Sequence, residues 1–401
     1  MSLADKYFPE DARVLYEART LIEAGHEVFL LCQNKPDGLS EEIVEGIKVL
    51  RVTMPQNYLW FVWNISCYGV YNPRWKKSLA RIVKQENIEA LHIHDLPRVI
   101  MGLSVARRFN IPLVADLHEN YSSAVSVWRK SDSHRSHRLI LAIISPPFLW
   151  KQIEGFSIRR ADRVITIVDE AREYYIATYG VSLNKFVILM NAPDLANFYS
   201  FPIDVEIVEK YEQYFTITYI GNFGPHRDIK TAILAMPEIL QAIHNAKLVL
   251  VGSGSTELAL KSLVNDMQLN QAVEFTGQQP FDKIPSYITA SNVCLHTYVK
   301  STALQSTASS PHKVFQYMAM SKPSIIASSQ ESADRLVSNA KAGLIYSAEN
   351  PHSLALAVIQ LYQNSDLANK MGEAGKKAVI DKYNWDEEGK KLVDLYEQLR
   401  R

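Results

Sequence analysis

Short β-branched runs alternate with helix-period segments along almost the whole chain, and few folds accept that pattern. Such alternation is typical of parallel sheets with helices packed on their faces. A connector at 191–214, containing "NAPD" and "FPID", separates two such series. The sequence therefore predicts an α/β protein of two doubly wound units rather than one barrel. The predicted strands are 26–32, 47–52, 90–94, 112–118, 163–168 and 186–190 in the first unit, and 215–221, 246–252, 272–277, 292–298, 323–328 and 343–346 in the second.

Length and composition agree with this organisation and exclude several classes of protein. The 401 residues suit two domains, and the 47% hydrophobic and 21% charged content is that of a soluble globular protein. Lys+Arg and Asp+Glu both total 43, so the chain has no net positive charge that would attract nucleic acid. Cys32, Cys67 and Cys294 are scattered, which fits a reducing compartment and argues against disulfides or a zinc site.

No segment of the sequence predicts a membrane span or a signal peptide. The longest apolar run, 139–150, contains two prolines and is too short to cross a bilayer. The opening "MSLADKYFPEDAR" lacks the apolar core of a signal peptide. We therefore expect a cytoplasmic protein.

The start of the first unit departs from the doubly wound pattern. Such a unit normally begins with a strand that becomes central in its sheet, whereas a helical pattern over 12–24 begins here almost at once. Two interpretations stay open: either "LADKYF" provides a stub of that strand, or residues precede it.

Ligands of doubly wound sheets bind beyond the carboxyl ends of the strands, and two facing units leave a cleft there. The second unit opens with "YIGNFGPHRDIKTAILAM", which reads as strand, glycine turn and helix. Gly221 and Asn222 fall in a turn that presents backbone amides and a helix N-terminus to phosphate. The guanidinium of Arg227 could form two parallel hydrogen bonds to a diphosphate. The alternative is an ordinary tight turn with a solvent-facing arginine.

Further strand-end loops follow in the same unit. Gly252 and Gly254 end a strand and open a helix in "LVLVGSGSTELALKSL", a pattern that turn chemistry alone also explains. Thr276 and Gly277 begin the loop "TGQQPFDKIPSYITAS", whose backbone could bond a base edge.

The stretch "SPHKVFQYMAMSKP" at 310–323 predicts a mostly apolar helix that begins at Pro311. Lys313 and Gln316 are three residues apart, so both project from one side of its first turn. A solvated edge is one explanation, and an anion at the positive helix end is the other. Together the loops of this unit predict a nucleotide diphosphate site.

Polar residues also end two strands of the first unit. In "LHIHDLP" the histidines share one face of the strand, and His94-Asp95 falls at its end. "LVADLHEN" places His118 and Glu119 at the end of the next strand. A structural histidine is the main alternative for His94, and a metal site built from these four residues is a further one. We expect His118 to hydrogen-bond a substrate hydroxyl and stabilise developing charge.

Several catalytic motifs are absent from the sequence, namely G-x-S-x-G, a Walker loop and His-Glu-x-x-His, so hydrolase, P-loop and zincin functions are excluded. With these residues in place, the chain resembles the GT-B-fold retaining glycosyltransferases, in the large family 4-like group that includes bacterial polysaccharide and lipopolysaccharide assembly enzymes. The resemblance covers nearly the whole chain. The segments that carry it are "FPEDARVLYEARTLIEAGHEVFLL", "HIHDLP", "VADLHENY", "RRADRVITIVDEAREYY", "ILMNAPD", "YIGNFGPHR", "LVLVGSGS", "VEFTGQ", "PHKVFQYMAMSKPSIIAS" and "YNWDEEGKKLVDLYEQL".

The resemblance implies an acceptor domain at 1–195, a nucleotide-sugar domain at 196–382 and a terminal helix at 383–401 that packs back on the first domain. It implies a donor held without a metal ion or other cofactor, and retention by front-face attack, which needs no protein nucleophile. The reaction expected is sugar transfer to a glycan or lipid-linked acceptor in cell-surface polysaccharide synthesis.

The family pattern also assigns roles to single residues. Arg227 and Lys313 match the cations beside the diphosphate, and Asn222 stands where the family commonly has a basic residue. Gln316 and Ala308 stand where the family has the two glutamates of Glu-x7-Glu. Other matches are Ser310 and His312 near phosphate or sugar, His118 near the transferred sugar, and Asp11 and Arg13 in the acceptor loop.

Two other functions stay open at this point, and so does a membrane contact. The departures at Ala308 and Gln316 favour a catalytically silent scaffold of a polysaccharide assembly complex, and a nucleotide-sugar epimerase shares the fold. The segment 127–160 mixes aromatic and basic residues, which suits a peripheral contact with anionic lipid at the inner face of the cytoplasmic membrane. An ordinary buried helix with a charged outer face is the alternative.

Overall fold

The computed structural model describes residues 1–2, 8–35, 38–54, 72–125, 143–300 and 310–400. The described chain forms two compact units, one from 1–191 with 386–400 and one from 192–300 with 310–385. The chain thus divides after 191 and after 385, where the sequence boundaries are drawn at 195 and 382. Cys67 and Ala308 lie outside the described residues.

The first unit contains two sheets. One has the order β1-β3-β2 and the other the order β4-β5-β6-β7, and every pair is parallel except β2 with β3. The strands are β1 (Phe29–Gln33), β2 (Glu41–Val44), β3 (Ile47–Val52), β4 (Leu91–His94), β5 (Leu113–Leu117), β6 (Arg163–Thr166) and β7 (Phe186–Ile188). The helices are α1 (Ala12–Glu23), α2 (Pro73–Gln85), α3 (Leu96–Phe109), α4 (Pro147–Arg160) and α5 (Asp169–Tyr179).

The amino terminus lies between these two sheets. Ser2 pairs in parallel with Leu31 of β1 and with Ile93 of β4. The α-amino group of Met1 donates to the carbonyl of Phe29 at 2.6 Å. The stub of a central strand is therefore Met1-Ser2, whereas most of the predicted "LADKYF" lies outside the described residues. A cavity of about 480 Å³ borders Met1 on its other side.

The sequence interpretation missed β2, a short edge strand whose side chains are exposed or half-buried. It pairs with β3 through a two-residue turn at Glu45 and Gly46, which have φ of 52° and 81°. Positive φ at both positions is the signature of a type I′ hairpin turn. Asn or Asp usually fills the first position, so the glutamate hid the signal.

The second unit is a single parallel sheet in the order β10-β9-β8-β11-β12-β13. Its strands are β8 (Phe215–Ile220), β9 (Ala246–Val251), β10 (Val273–Gly277), β11 (Val293–His296), β12 (Ser324–Ala327) and β13 (Gly343–Tyr346). Its helices are α6 (Leu195–Ser200), α7 (Val205–Tyr211), α8 (Ile229–Ala242), α9 (Glu257–Asp266), α10 (Ile284–Thr289), α11 (His312–Ala319), α12 (Glu331–Ala340), α13 (Pro351–Gln363) and α14 (Ser365–Asp381). The strand order reverses at β8, so the carboxyl ends of β8 and β11 border the topological switch point.

The last helix, α15 (Trp385–Leu399), packs within the first unit. Tyr396 Oη lies 2.9 Å from His92 Nδ1, and a Glu388 carboxylate oxygen accepts from the backbone N–H of Met190 at 2.9 Å. These bonds attach the end of the chain to β4 and to the end of β7. Among the described residues, no helix has the length and apolarity that crossing a membrane requires.

Candidate functional site

The turn after β8 lies against a lysine of α11. Gly221 has φ of 137°, a conformation that favours glycine. A Cβ added there would lie 2.8 Å from Lys313 Nζ, so the ammonium group sits directly over this glycine. The end of β8 and the first turn of α11 thus meet at one point, as the nucleotide diphosphate prediction requires.

The loops after β8 and β9 pack backbone against backbone. A Cβ on Gly252 would lie 2.0 Å from the Gly221 carbonyl oxygen, and one on Gly254 would lie 2.6 Å from the Phe223 nitrogen. Phe223 N–H donates to the Ser253 carbonyl at 2.8 Å. The close approach of these two loops therefore requires glycine at both 252 and 254.

Lys313 holds its charge in an apolar setting. Its Nζ lies 4.1 Å from the centroid of the Tyr219 ring, a cation–π distance, and Tyr219 Oη donates to the Asn222 carbonyl at 3.0 Å. The Nζ atom is shielded from solvent and has no hydrogen-bond partner among the described residues. Burial, reinforced by the charge of Arg227, holds the pKa of Lys313 well below its usual range.

Arg227 is the second cation of this region. Its Cζ lies 4.5 Å from the ring centroid of Tyr298, and its Nε lacks a hydrogen-bond partner in the described part of the chain. Burial lowers the pKa of Arg227 as well. Neither Arg227 nor Lys313 forms an ion pair with a described carboxylate. We call these two residues the cation pair.

The cation pair has an energetic consequence. Shielding a charge from water is costly unless an opposite charge or good hydrogen bonds compensate. The Oγ of Ser310, at the start of α11, is likewise buried without a partner in the described residues. Two shielded cations, a free hydroxyl and a helix N-terminus together favour a bound anion with several acceptor oxygens, such as a diphosphate.

The remaining donor-site candidates of the second unit occupy different places. Thr276 Oγ1 donates to the Gly277 carbonyl at 3.1 Å, and that carbonyl also accepts from Gly252 N–H at 2.9 Å, so this loop is bonded to itself and to β9. Pro311 caps α11, and its carbonyl accepts from Val314 N–H at 2.8 Å. His312 and Asn222 are exposed, and Gln316 is buried on α11.

Sequence reasoning missed the groups that surround the cation pair. Tyr219 and Tyr298 provide the rings under the two cations. His296 at the end of β11 bonds through Nε2 to Gln330 Oε1 at 2.5 Å, and burial followed by the charge of Lys313 lowers the pKa of His296 to about 3. The only sequence signal for these residues was a histidine and a tyrosine at the end of the apolar run "VCLHTY".

Arg13 organises the polar cluster of the first unit. One of its guanidinium nitrogens lies 3.2 Å from Asp116 Oδ1, and its Nε lies 2.9 Å from Glu17 Oε1. It also donates to the Leu189 carbonyl at 2.9 Å and to Asn191 Oδ1 at 2.6 Å. All three side chains are buried, and burial together with the charge of Asp116 raises the pKa of Glu17 well above its usual value, so Arg13 is paired chiefly with Asp116.

His118 lies at the exposed edge of that cluster. Its Nε2 is 3.4 Å from Asp116 Oδ2 and its Nδ1 is 3.4 Å from Asp95 Oδ1. Burial alone would lower the pKa of His118, but Asp95 and Asp116 outweigh burial and raise it to about 9. His118 is 16% exposed while Asp116 is fully buried. At neutral pH His118 is therefore a partly exposed positive charge whose two ring nitrogens face Asp95 and Asp116.

Other predicted residues of the first unit serve the fold. Asp11 is the N-cap of α1 and accepts from Val14 N–H at 3.3 Å. His94 is fully buried and stacks on His92 with ring centroids 4.4 Å apart. The carbonyl of Glu119 accepts from Tyr175 Oη at 3.2 Å.

A different group of metal-type ligands comes together in this cluster. Ligand atoms of Glu17, His92, His94 and Asp116 all lie within 4.8 Å of one another. Arg13 already contacts both carboxylates and supplies the positive charge there. Sequence reasoning missed Glu17 and the bond of Tyr396 to His92, since both come from helices distant along the chain.

Known proteins of solved structure share this fold. Two doubly wound α/β units, the second with a phosphate-type turn at its switch point, are the architecture of GT-B glycosyltransferases, whose solved structures match nearly the whole chain, so the predicted fold class is confirmed. The chain belongs to the family 4-like glycosyltransferases: the Glycosyltransferase Family 4 model matches residues 12–197 and the Glycosyl transferases group 1 model matches residues 200–378.

Individual relatives are distant. An uncharacterized glycosyltransferase of Methanocaldococcus jannaschii, MJ1069, is 24% identical over 63% of this chain and 62% of its own length. Alpha-monoglucosyldiacylglycerol synthase of Streptococcus pneumoniae is 22% identical over 98% of this chain and 84% of its own length. The crystal structure of Anabaena Alr3699/HepE in complex with UDP has a TM-score of 0.69 and 13% identity, covering 99% of both chains.

Proposed function

We propose that this glycosyltransferase moves a sugar, with retention and without a metal ion, from a nucleoside diphosphate sugar to a glycan or lipid-linked acceptor in cell-surface polysaccharide synthesis. The observation that carries the donor assignment is the cation pair, which lacks a described carboxylate partner at the switch point of the second sheet. The UDP complex of the Anabaena structure and the lipid product in the Streptococcus enzyme's name support the two substrate classes.

The donor diphosphate is bound by the second unit. Lys313 and Arg227 face its oxygens together with the amides of the turn at Gly221 and Asn222. Gln316 bonds a ribose hydroxyl, since an amide both donates and accepts. This set stabilises the charge that develops on the departing diphosphate, which is where a transferase gains most.

The chemistry of front-face transfer needs little from the protein beyond position and charge. The bond between the anomeric carbon and the diphosphate oxygen breaks, and the acceptor oxygen bonds to that carbon on the same face. The acceptor proton passes to a diphosphate oxygen. The His118 imidazolium, held by Asp95 and Asp116, places its positive charge beside the transferred sugar.

The acceptor is bound by the first unit. Arg13, Asp11 and His94 are buried and maintain the shape of the site, whereas Asp95, His118 and Glu119 are half-buried at the strand ends. We place the protein in the cytoplasm at the inner face of the membrane, where lipid-linked acceptors are found.

A thermal-shift screen of uridine and guanosine diphosphate sugars tests the donor assignment. Ligand at ~100 times Kd stabilises the folded state by about 2.7 kcal/mol. We expect one nucleotide class to raise the Tm of the wild type and to have little effect on Lys313→Met. Lys230→Gln, an exposed lysine of the same unit, is the matched control and should respond like the wild type. A wild type that responds to no donor would contradict the assignment.

A scaffold without activity is the second candidate, because Gln316 replaces a family glutamate. Ala308, the other departure, lies outside the described residues. A scaffold would bind donor without hydrolysing or transferring it. If wild type binds but does not turn over donor while Gln316→Glu does, the scaffold function is the correct one.

The segment 127–160 was predicted to meet lipid headgroups, and residues 126–142 lie outside the described chain. In α4, Trp150 is buried and donates to Ser145 Oγ at 2.6 Å, so it belongs to the core. Phe148 and Phe156 are 63% and 40% exposed. We propose a peripheral contact through these two rings and the basic residues around them.

A further inference from the structure

Helix α2 carries an unbalanced stripe of positive charge. Its sequence, "PRWKKSLARIVKQ", contains five Lys or Arg residues and no Asp or Glu, in a chain whose totals are equal. Arg74, Lys77, Arg81 and Lys84 follow a 3-4-3 spacing, which places them along one face, and all four are exposed. The opposite face buries Trp75 and other apolar residues in the core.

The stripe continues across a groove onto α3. A hollow of about 610 Å³ separates the outer faces of the two helices. Its floor is apolar, with Ala80, Val105 and Phe109, and Arg108 lies with its Cζ 5.5 Å from the Phe109 ring. The lining contains cations but no acidic residue: Lys76, Lys77, Arg81, Lys84 and Arg108.

Structural roles explain only part of this charge. Lys84 and Arg108 lie in the last turns of their helices, where a cation is favoured by the helix dipole. Lys77 and Arg81 lie before the last turn, and like charges three or four residues apart repel one another. Neither forms an ion pair with a carboxylate in the described part of the chain. These like charges therefore do not stabilise the fold. An external anion bound beside them would reduce their mutual repulsion.

We propose that the α2–α3 groove docks the protein on an anionic lipid bilayer. Basic side chains that share one face and surround an apolar floor suit phosphate headgroups, with the aliphatic stems at the level of the acyl chains. This docking surface is separate from 127–160 and does not depend on the proposed transferase activity.

Sedimentation of the full-length protein with vesicles tests the proposal. We expect binding to phosphatidylcholine vesicles that contain phosphatidylglycerol, little binding to pure phosphatidylcholine, and release by salt. Each basic residue near such a surface contributes about fivefold to the partition coefficient. The variant Lys77→Gln/Arg81→Gln/Lys84→Gln/Arg108→Gln should therefore lose about 10²-fold or more.

A matched control removes the same charge elsewhere. Lys230→Gln/Lys341→Gln/Lys370→Gln/Lys377→Gln changes four exposed lysines of the second unit and should bind vesicles like the wild type. Circular dichroism and Tm show that both variants are folded, and Arg81→Lys should retain binding because it keeps the charge.

Four results would overturn the proposal. The wild type could fail to sediment with anionic vesicles, or the quadruple α2–α3 variant could sediment as well as the wild type. Binding could instead be lost in Lys151→Gln/Arg160→Gln and kept in the quadruple variant, which would place the contact on α4 alone. Binding of polyglutamate without binding of vesicles would identify an acidic protein as the partner.

Discussion

The buried cations of the two units stand in opposite surroundings. In the first unit Arg13 contacts Asp116 and Glu17 and donates to two further oxygens. In the second unit Lys313 and Arg227 lie over aromatic rings without a described carboxylate. The first arrangement satisfies its own charge and stabilises the fold, whereas the second leaves charge unsatisfied and is suited to an incoming anion. Burial alone therefore does not distinguish structural from ligand-binding cations, but the pairing of the charge does.

The largest effect on stability is expected from Arg13→Met. Removing one partner of a buried ion network takes away the main counter-charge of Asp116 and costs about 3–5 kcal/mol. Urea denaturation followed by circular dichroism measures the change. Arg19→Met, a change in an exposed pair of the same helix, is the control and should cost under about 1 kcal/mol. A small loss for Arg13→Met would show that its charge is not needed by the fold.

Lys313→Met should reduce turnover rather than stability, the opposite of what is expected for Arg13→Met. Turnover should fall by about 10²-fold or more, the scale for losing one donor that stabilises developing charge. The free energy of unfolding should stay the same or rise, because an unpaired shielded charge is replaced by an apolar chain. Single-turnover kinetics and urea denaturation separate the two effects. Near-normal turnover would remove Lys313 from the mechanism.

The contribution of His118 to the stability of the first unit depends on pH. Because its pKa is raised to about 9 from 6.5, it stabilises the fold fully below pH 6.5, and this contribution is lost as the pH rises through about 9. The expected difference between wild type and His118→Gln is on the order of 3 kcal/mol at pH ~6 and disappears above pH ~10. Denaturation at a series of pH values measures it, and parallel curves for the two proteins would contradict the raised pKa.

The smallest expected effect concerns the ring beneath Arg227. Tyr298→Leu should weaken donor binding by about 0.5–1 kcal/mol, the value of an accessible cation–π contact. Titration calorimetry with the donor nucleotide measures this loss. Tyr362→Leu, at an exposed ring of the same unit, should leave affinity unchanged.

The fold was largely predictable from the sequence because strand and helix periods are local properties. All twelve predicted strands are present, and β2 is the one strand of the described ranges that was missed. The loops after β8 and β9 and the start of α11 were also found, since glycines and helix starts are visible locally.

The partners of the charged residues were not predictable in the same way. Tyr396 bonds to His92 across 304 residues, and Arg13 bonds to Asp116 across 103. Glu17 gave no signal because it stands in the middle of α1, outside any motif. Whether a buried cation is paired depends on such distant contacts, so the contrast between the two units could be recognised only in the structure.

The position of Met1 has a practical consequence for handling the protein. Its α-amino group donates to Phe29 at the strand position between two sheets, and burial lowers its pKa to about 5. A purification tag fused ahead of Met1 would have to leave from the middle of the sheet, unless its first residues extended the strand into the neighbouring 480 Å³ cavity. Affinity handles and surface immobilisation therefore belong after α15, at the carboxyl end.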